Sequence, residues 1–148
     1  MLITKIFIFD AAHALTRYYG KCENVHGHTY RLEVTVEGEM DSNGLVIDFV
    51  ILKRIVQRQI LGVLDHQNLN DHFENPSAEL VCRWIWDRLF PLASLLQQEL
   101  KDPNLGEDLK RYLNQTLSLD CTLGDPQVRL FEVKLWETEN SGVAYRGV

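Results

Sequence analysis

The chain has 148 residues, 45% of them hydrophobic and 24% charged, enough apolar material for one packed core and too much for a disordered chain. Its formal charge of −6 removes any sequence-independent pull toward nucleic-acid phosphates or anionic membranes, while a few local cations can still hold a small anion. Cys22, Cys82 and Cys121 are an odd set without disulfide spacing, the N-terminal residues lack a signal-peptide pattern, and no apolar run approaches the ~20 residues of a membrane span. A soluble, reduced, cytoplasmic domain is expected.

In chain order, Leu2 to Ala14 is rich in Ile and Phe and has a strand's length, with imperfect alternation. His28 to Glu39 alternates cleanly, with Tyr30, Leu32, Val34 and Val36 on one face and Arg31, Glu33, Thr35 and Glu37 on the other. After the turn Asp41-Ser42-Asn43-Gly44, Asp48 caps a helix in which Phe49, Leu52, Ile55, Val56, Ile60 and Val63 recur at helical spacing. Asn75-Pro76 starts a second helix, with Asn as cap and Pro at the first helical position, and Leu80, Val81, Trp84, Ile85 and Leu89 form its stripe. Pro91 ends or kinks it.

Residues 97–126 are polar and broken by Asp102-Pro103, Leu105-Gly106 and Gly124-Asp125-Pro126. Leu105, Leu109, Tyr112, Leu113 and Leu117 nevertheless mark an amphipathic helix, read as a peripheral insertion within a single domain spanning 1–148. Val128 to Thr138 and Gly142 to Arg146, joined by Glu139-Asn140-Ser141, are two further strands. Two hairpins with helices between them predict an α+β fold, a four-stranded antiparallel sheet with helices on one face.

His26-Gly27-His28 puts two imidazoles on one side of an extended backbone, and Gly27 permits an unusual backbone angle there. His13, on the opposite strand, offers a third nitrogen. Three imidazoles leave a tetrahedral zinc with an open position, the catalytic arrangement; the plainer alternative is a turn with two surface histidines. Cys22 precedes His26 by four residues and is a thiolate candidate, a fourth zinc ligand or an inert thiol. His66, flanked by Asp65, suits proton transfer near neutral pH or simply ends a helix, and His72 is read as a surface residue. Glu137 at a strand end is a rim charge, or a carboxylate that accepts two parallel N–H donors from a planar ligand.

Phe9-Asp10-Ala11-Ala12-His13, Cys22-x-x-x-His26-Gly27-His28, Gly44-x-Val46-x-Asp48-Phe49, Leu64-Asp65-His66-x-x-Leu69-Asn70-Asp71, Asn75-Pro76-Ser77-Ala78-Glu79, and Glu137-Thr138 with Tyr145-Arg146-Gly147 together resemble the 6-pyruvoyl-tetrahydropterin synthase and 6-carboxy-tetrahydropterin synthase family. The likeness runs from Ile6 to Phe90 and from Val128 to Gly147. It implies a tunnelling fold whose sheets join across subunits into a barrel, a homo-oligomer with active sites between subunits. It further implies that His13, His26 and His28 bind Zn²⁺, that Cys22 exchanges protons with His66, which Asp65 assists, both coming from a neighbouring subunit, and that Glu137 and Ser77 contact the pterin.

By the same resemblance the substrate is 7,8-dihydroneopterin triphosphate. The short Cys22 to His26 gap is similar to the carboxy branch, which releases triphosphate and acetaldehyde in queuosine biosynthesis; the pyruvoyl synthases, which usually have a longer gap, are the alternative. Glu23 completes Glu-x-x-His-Gly-His, which resembles a folate-route variant cleaving dihydroneopterin to 6-hydroxymethyl-dihydropterin, or else is a solvated loop charge. A noncatalytic zinc or pterin-binding oligomer with Cys22 closing the metal site is the alternative from another class. Lys21, Arg17 and Arg146, cations close in sequence to these motifs, are candidates to hold the triphosphate.

Overall fold

The computed structural model describes residues 1–20, 22–111 and 128–148. Strand β1 (Leu2–His13) turns back as β2 (His26–Gly38), and the two are in register from Leu2 opposite Glu37 to His13 opposite His26. The alternation of β2 is kept for Tyr30, Leu32, Val34 and Val36, which are buried, but Thr35, expected on the open face, is buried too, its Oγ1 2.8 Å from that of Thr4. In β1 it is Phe7, Phe9, Ala11 and His13 that face the core, while Ile6 and Ile8 are 49% and 56% exposed on the other face. Apolar residues on both sides blurred the pattern of this strand.

Asp48 caps the first helix as expected, its Oδ1 accepting from the Val50 amide at 2.7 Å. That helix is α1 (Phe49–Val56), which widens into a π-helical stretch at Gln57–Leu61 and closes as α2 (Gly62–Leu64). Ile51, Leu52, Ile55 and Val56 form the inner face of α1, and Phe49, expected there, is half exposed. A two-residue strand β3 (Gln67–Asn68) and a 3-10 turn at Leu69–Asp71 follow.

Helix α3 (Ala78–Leu89) is capped by Ser77, whose Oγ accepts from the Leu80 amide at 3.3 Å. The expected Asn75 cap and Pro76 helical start are thereby corrected. The Asn75 side chain is engaged by the Thr16 amide at 3.0 Å, and Pro76 lies before the cap. Val81, Cys82, Ile85, Trp86 and Leu89 make the buried stripe, and Leu80 points outward, 47% exposed. Pro91 separates α3 from α4 (Leu92–Leu100), so helix crosses residue 97, where the insertion was expected to begin. Leu105 joins the same core and Leu109 packs against it; Tyr112, Leu113, Leu117 and the turn at Pro126 lie outside the described residues.

Strands β4 (Val128–Thr138) and β5 (Ser141–Tyr145) complete the sheet, whose order is β3-β1-β2-β4-β5. The expectation of four antiparallel strands is corrected. Among the described residues the sheet has five, because β3 adds a parallel bridge in which Ala11 pairs with Gln67 and Ala12 with Asn68. Two residues are too few to display a period, which is why the strand is invisible in the sequence. Helix α3 packs against β4 and β5, and α4 against β4 and α1. No helix among the described residues is long and apolar enough to cross a membrane.

One irregularity sets the face on which the site forms. Val36 pairs with Leu130 but Thr35 pairs with Glu132, so Phe131 is an extra residue in β4. A bulge of this kind reverses which residues face inward. Val128 and Leu130 point to the core before it, and Val133 and Leu135 after it.

Candidate metal centre

The end of the β1–β2 hairpin brings three imidazoles together on the core side of the sheet. His13 lies opposite His26, and His28 is two residues further along the same face. After the bulge Glu137 shares the inward face of Val133 and Leu135, a second register shift falls at Glu137 itself, and its Oε1 lies 3.1 Å from His28 Nε2 and 3.8 Å from His13 Nε2. One ligand atom from each of His13, His26, His28 and Glu137 lies within 4.8 Å of the others.

Backbone carbonyls fix which nitrogen carries the hydrogen in two of these rings. His13 Nδ1 is 2.8 Å from the Pro76 carbonyl and His26 Nδ1 is 2.8 Å from the Asn24 carbonyl. A carbonyl only accepts, so each Nδ1 carries the hydrogen and each Nε2 presents a lone pair. Those two Nε2 atoms are 3.2 Å apart, a repulsive approach for two acceptors that a shared cation relieves. His28 Nε2 is buried without a hydrogen bond, since its close approach to Glu137 lacks bonding geometry. Burial pushes the His28 pKa below the usual value, as do His13 and His26, against the opposing pull of Glu137 and Glu23. Its neutral, ligating form is favoured. The residues fit zinc, which takes imidazole nitrogen and carboxylate oxygen.

Tyr30 supports the centre from below, buried and stacked on Phe9 with ring centroids 5.0 Å apart, its hydroxyl 3.4 Å from His13 Nδ1. Gly27 does not adopt the unusual backbone angle expected of it. It has no positive φ, and a Cβ there would meet only the Ala11 carbonyl at 3.8 Å.

The remaining sequence candidates fall around this group. Cys22 is exposed, its thiol donates to the Thr16 carbonyl at 3.6 Å, and it is outside the ligand cluster. Glu23 pairs with Leu15 twice: its amide donates to the Leu15 carbonyl at 2.9 Å, and its Oε1 accepts from the Leu15 amide at 3.2 Å. Asp65 and His66 contact one another directly, Asp65 Oδ1 lying 2.9 Å from His66 Nδ1, with His66 at a φ of 59° and 78% exposed. The same Oδ1 accepts from the Asp10 amide at 3.1 Å.

His66 and His28 both line an open cleft of about 530 Å³, together with Asp10 and Thr29. Ser77 is engaged as the α3 cap. Arg17 pairs with Glu74, and Arg146 with Glu132 at 2.6 Å; Lys21 lies outside the described residues. Sequence reasoning missed the supports: the Pro76 carbonyl, Tyr30, and the side-chain amides of Asn70 and Asn75. The motifs that held Asn70 with Asp65-His66, and Asn75 with Pro76, pointed to their segments without showing these contacts.

Comparison with known proteins places the chain in a family. The family model for 6-pyruvoyl tetrahydropterin synthase matches residues 2–148. A Haemophilus influenzae 6-carboxy-5,6,7,8-tetrahydropterin synthase is 33% identical over 155 residues, covering 97% of each chain. A Pyrococcus furiosus dihydroneopterin monophosphate aldolase is 46% identical over 81 residues, covering 55% of this chain and 68% of the relative. The fold is similar to that of Caenorhabditis elegans 6-pyruvoyl tetrahydropterin synthase, with a TM-score of 0.67 at 22% identity over 100% of this chain and 96% of that one. The motifs, the three-histidine hairpin and the match along the whole chain thus converge, and the chain belongs to the 6-pyruvoyl tetrahydropterin synthase family.

Proposed function

We propose that the protein is a zinc-dependent pterin lyase that, with water, converts 7,8-dihydroneopterin triphosphate to 6-carboxy-5,6,7,8-tetrahydropterin, acetaldehyde and triphosphate. The observation that carries the zinc assignment is the pair of carbonyl-locked tautomers that leave His13 and His26 Nε2 facing each other at 3.2 Å beside His28. The carboxy branch is supported by the bacterial relative at 33% identity over nearly the whole chain and by the short spacing between Cys22 and His26.

Bound by His13, His26 and His28, zinc supplies a Lewis acid that acidifies the C–H and O–H groups of the substrate side chain. Glu137 receives the parallel N–H donors of the pterin ring on its two carboxylate oxygens. Ser77, whose oxygen accepts from Leu80, keeps a proton to donate to the substrate. Cys22 and His66 move protons between side chain and ring, and Asp65 holds the His66 ring in one orientation. His66 serves the metal centre of a neighbouring subunit, in a homo-oligomer whose sheets continue one another into a barrel. The setting is the cytoplasm, where Cys22 stays reduced.

A second reading is favoured by the 46% identity to the Pyrococcus furiosus aldolase. In it Glu23 participates and the product is 6-hydroxymethyl-dihydropterin. Incubating the zinc-loaded protein with dihydroneopterin triphosphate, and separately with dihydroneopterin monophosphate, then identifying products by mass spectrometry, separates the two. Carboxy-tetrahydropterin with acetaldehyde is expected from the triphosphate. Hydroxymethyl-dihydropterin alone rejects the carboxy branch, and zinc lost in Cys22→Ala rejects Cys22 as a proton-transfer residue.

A further inference from the structure

Beyond His13 the β1–β2 ladder stops, His13 and His26 being its last pair. From Asp10 to Thr16 the chain is also held by the segment 65–76, which lies along the edge of β1 opposite β2. The Asp10 carbonyl accepts from the His66 amide at 2.7 Å, Ala11 and Ala12 pair with Gln67 and Asn68, and the His13 ring donates to Pro76. The Thr16 amide donates to Asn75 Oδ1 at 3.0 Å.

In the middle of this splint sits Asn70. Its Oδ1 accepts from the Ala14 amide at 2.8 Å and its Nδ2 donates to the Ala14 carbonyl at 2.8 Å. Both halves of the side-chain amide are thus spent on the residue after His13, reproducing with a side chain the two-bond pairing that β2 no longer provides. Asn70 is itself fixed, its amide donating to Asn68 Oδ1 at 3.0 Å. Ala14 is 8% exposed, so water is a poor substitute partner for its backbone groups.

We propose that Asn70 is a positioning residue of the metal centre. It holds the main chain of His13 from the C-terminal side while Pro76 holds the ring, and so keeps His13 Nε2 aimed at His26 and His28. This role rests on the assignment of the histidines as zinc ligands. It also ties the Asp65-His66 pair to those ligands through one continuous stretch of backbone.

Asn70→Asp tests it, because the variant keeps shape and acceptor but sets a carboxylate oxygen against the Ala14 carbonyl. Zinc affinity of wild type, Asn70→Asp, His13→Ala and the double variant is measured by competition with a chelator, after circular dichroism confirms folding. Asn70→Asp should bind zinc about tenfold more weakly, and should cause no further loss once His13 is gone. A role in stability alone lowers the melting temperature without that coupling. Wild-type affinity in folded Asn70→Asp, or an equal loss in the His13→Ala background, overturns the inference. A wild-type chain that binds no zinc overturns the zinc assignment and the inference with it. If Asn70→Asp does not fold, Asn70→Ser and zinc-dependent exchange of the wild-type Ala14 amide decide. The expected results are weaker binding and slowed exchange, and neither changing rejects the role.

Discussion

Cys82 is 1% exposed and its thiol donates to the Val133 carbonyl at 3.5 Å. Burial, with Glu132 and Glu79 adding to it, pushes this thiol up to about 12. Cys22 by contrast is exposed. Mass-spectrometric mapping after brief iodoacetamide treatment of the native protein at pH 8 should therefore find Cys22 alkylated and Cys82 intact, and equal labelling of the two would contradict the burial. The sign of the pH effect follows from the same shift. An unfolded thiol releases its proton near 9.0 while folded Cys82 retains it to about 12, so its contribution to stability is full below pH 9 and is lost as pH rises above it.

Glu132 shows the opposite balance. Burial resists its ionisation, but the Arg146 hydrogen bond and Lys134 outweigh that and hold its carboxyl below the usual range. Arg146 is thereby engaged in a structural ion pair, which weakens its claim as a cation for triphosphate.

At the scale of elements, β2 and β4 were legible because one face of each is buried and the other is not. The hairpin histidines were legible for the same reason, since residues two apart on a strand share a face. What was hidden depends on partners distant in sequence. Asn75 looked like a cap until the Thr16 amide claimed its side chain. Glu137 was visible only as a strand-end carboxylate, because the bulge that puts it on the inward face of Val133 and Leu135 is a property of the β2–β4 register and not of either strand alone.

The pairing of α1 with α4 was equally unreadable. Arg54 Nε and Arg58 Nε reach the two Glu99 oxygens at 2.9 and 3.0 Å, and both arginines share Asp102 Oδ2 at 2.5 and 2.6 Å. Glu99 is 2% exposed. Glu99→Gln should cost about 1.5–3 kcal/mol, the range for hydrogen bonds to charged groups, since it leaves two arginines short of a carboxylate. Urea denaturation measures this, and a change under 0.5 kcal/mol would place the pair among inconsequential surface contacts.

For the whole molecule, the sheet has one face covered by α3 and α4 and another on which Ile6 and Ile8 are about half exposed. If β1 and its outer face meet a second copy, as the proposed barrel requires, Ile8→Lys should reduce the mass seen by light scattering to that of one chain. Zinc should stay bound, because all three histidines belong to one hairpin, while turnover falls with loss of the neighbour's His66. An unchanged assembly would move the subunit contact to another surface.

His66 itself carries a consequence of a different kind. A left-handed backbone at a non-glycine residue costs roughly 1–2 kcal/mol, and the φ of 59° at His66 means that this position would be more comfortable as glycine. Folding free energy and chemistry therefore pull in opposite directions at one residue. An engineering campaign that ranked variants by heat resistance alone would discard this imidazole early, and would obtain a sturdier protein without the proton transfer proposed for it.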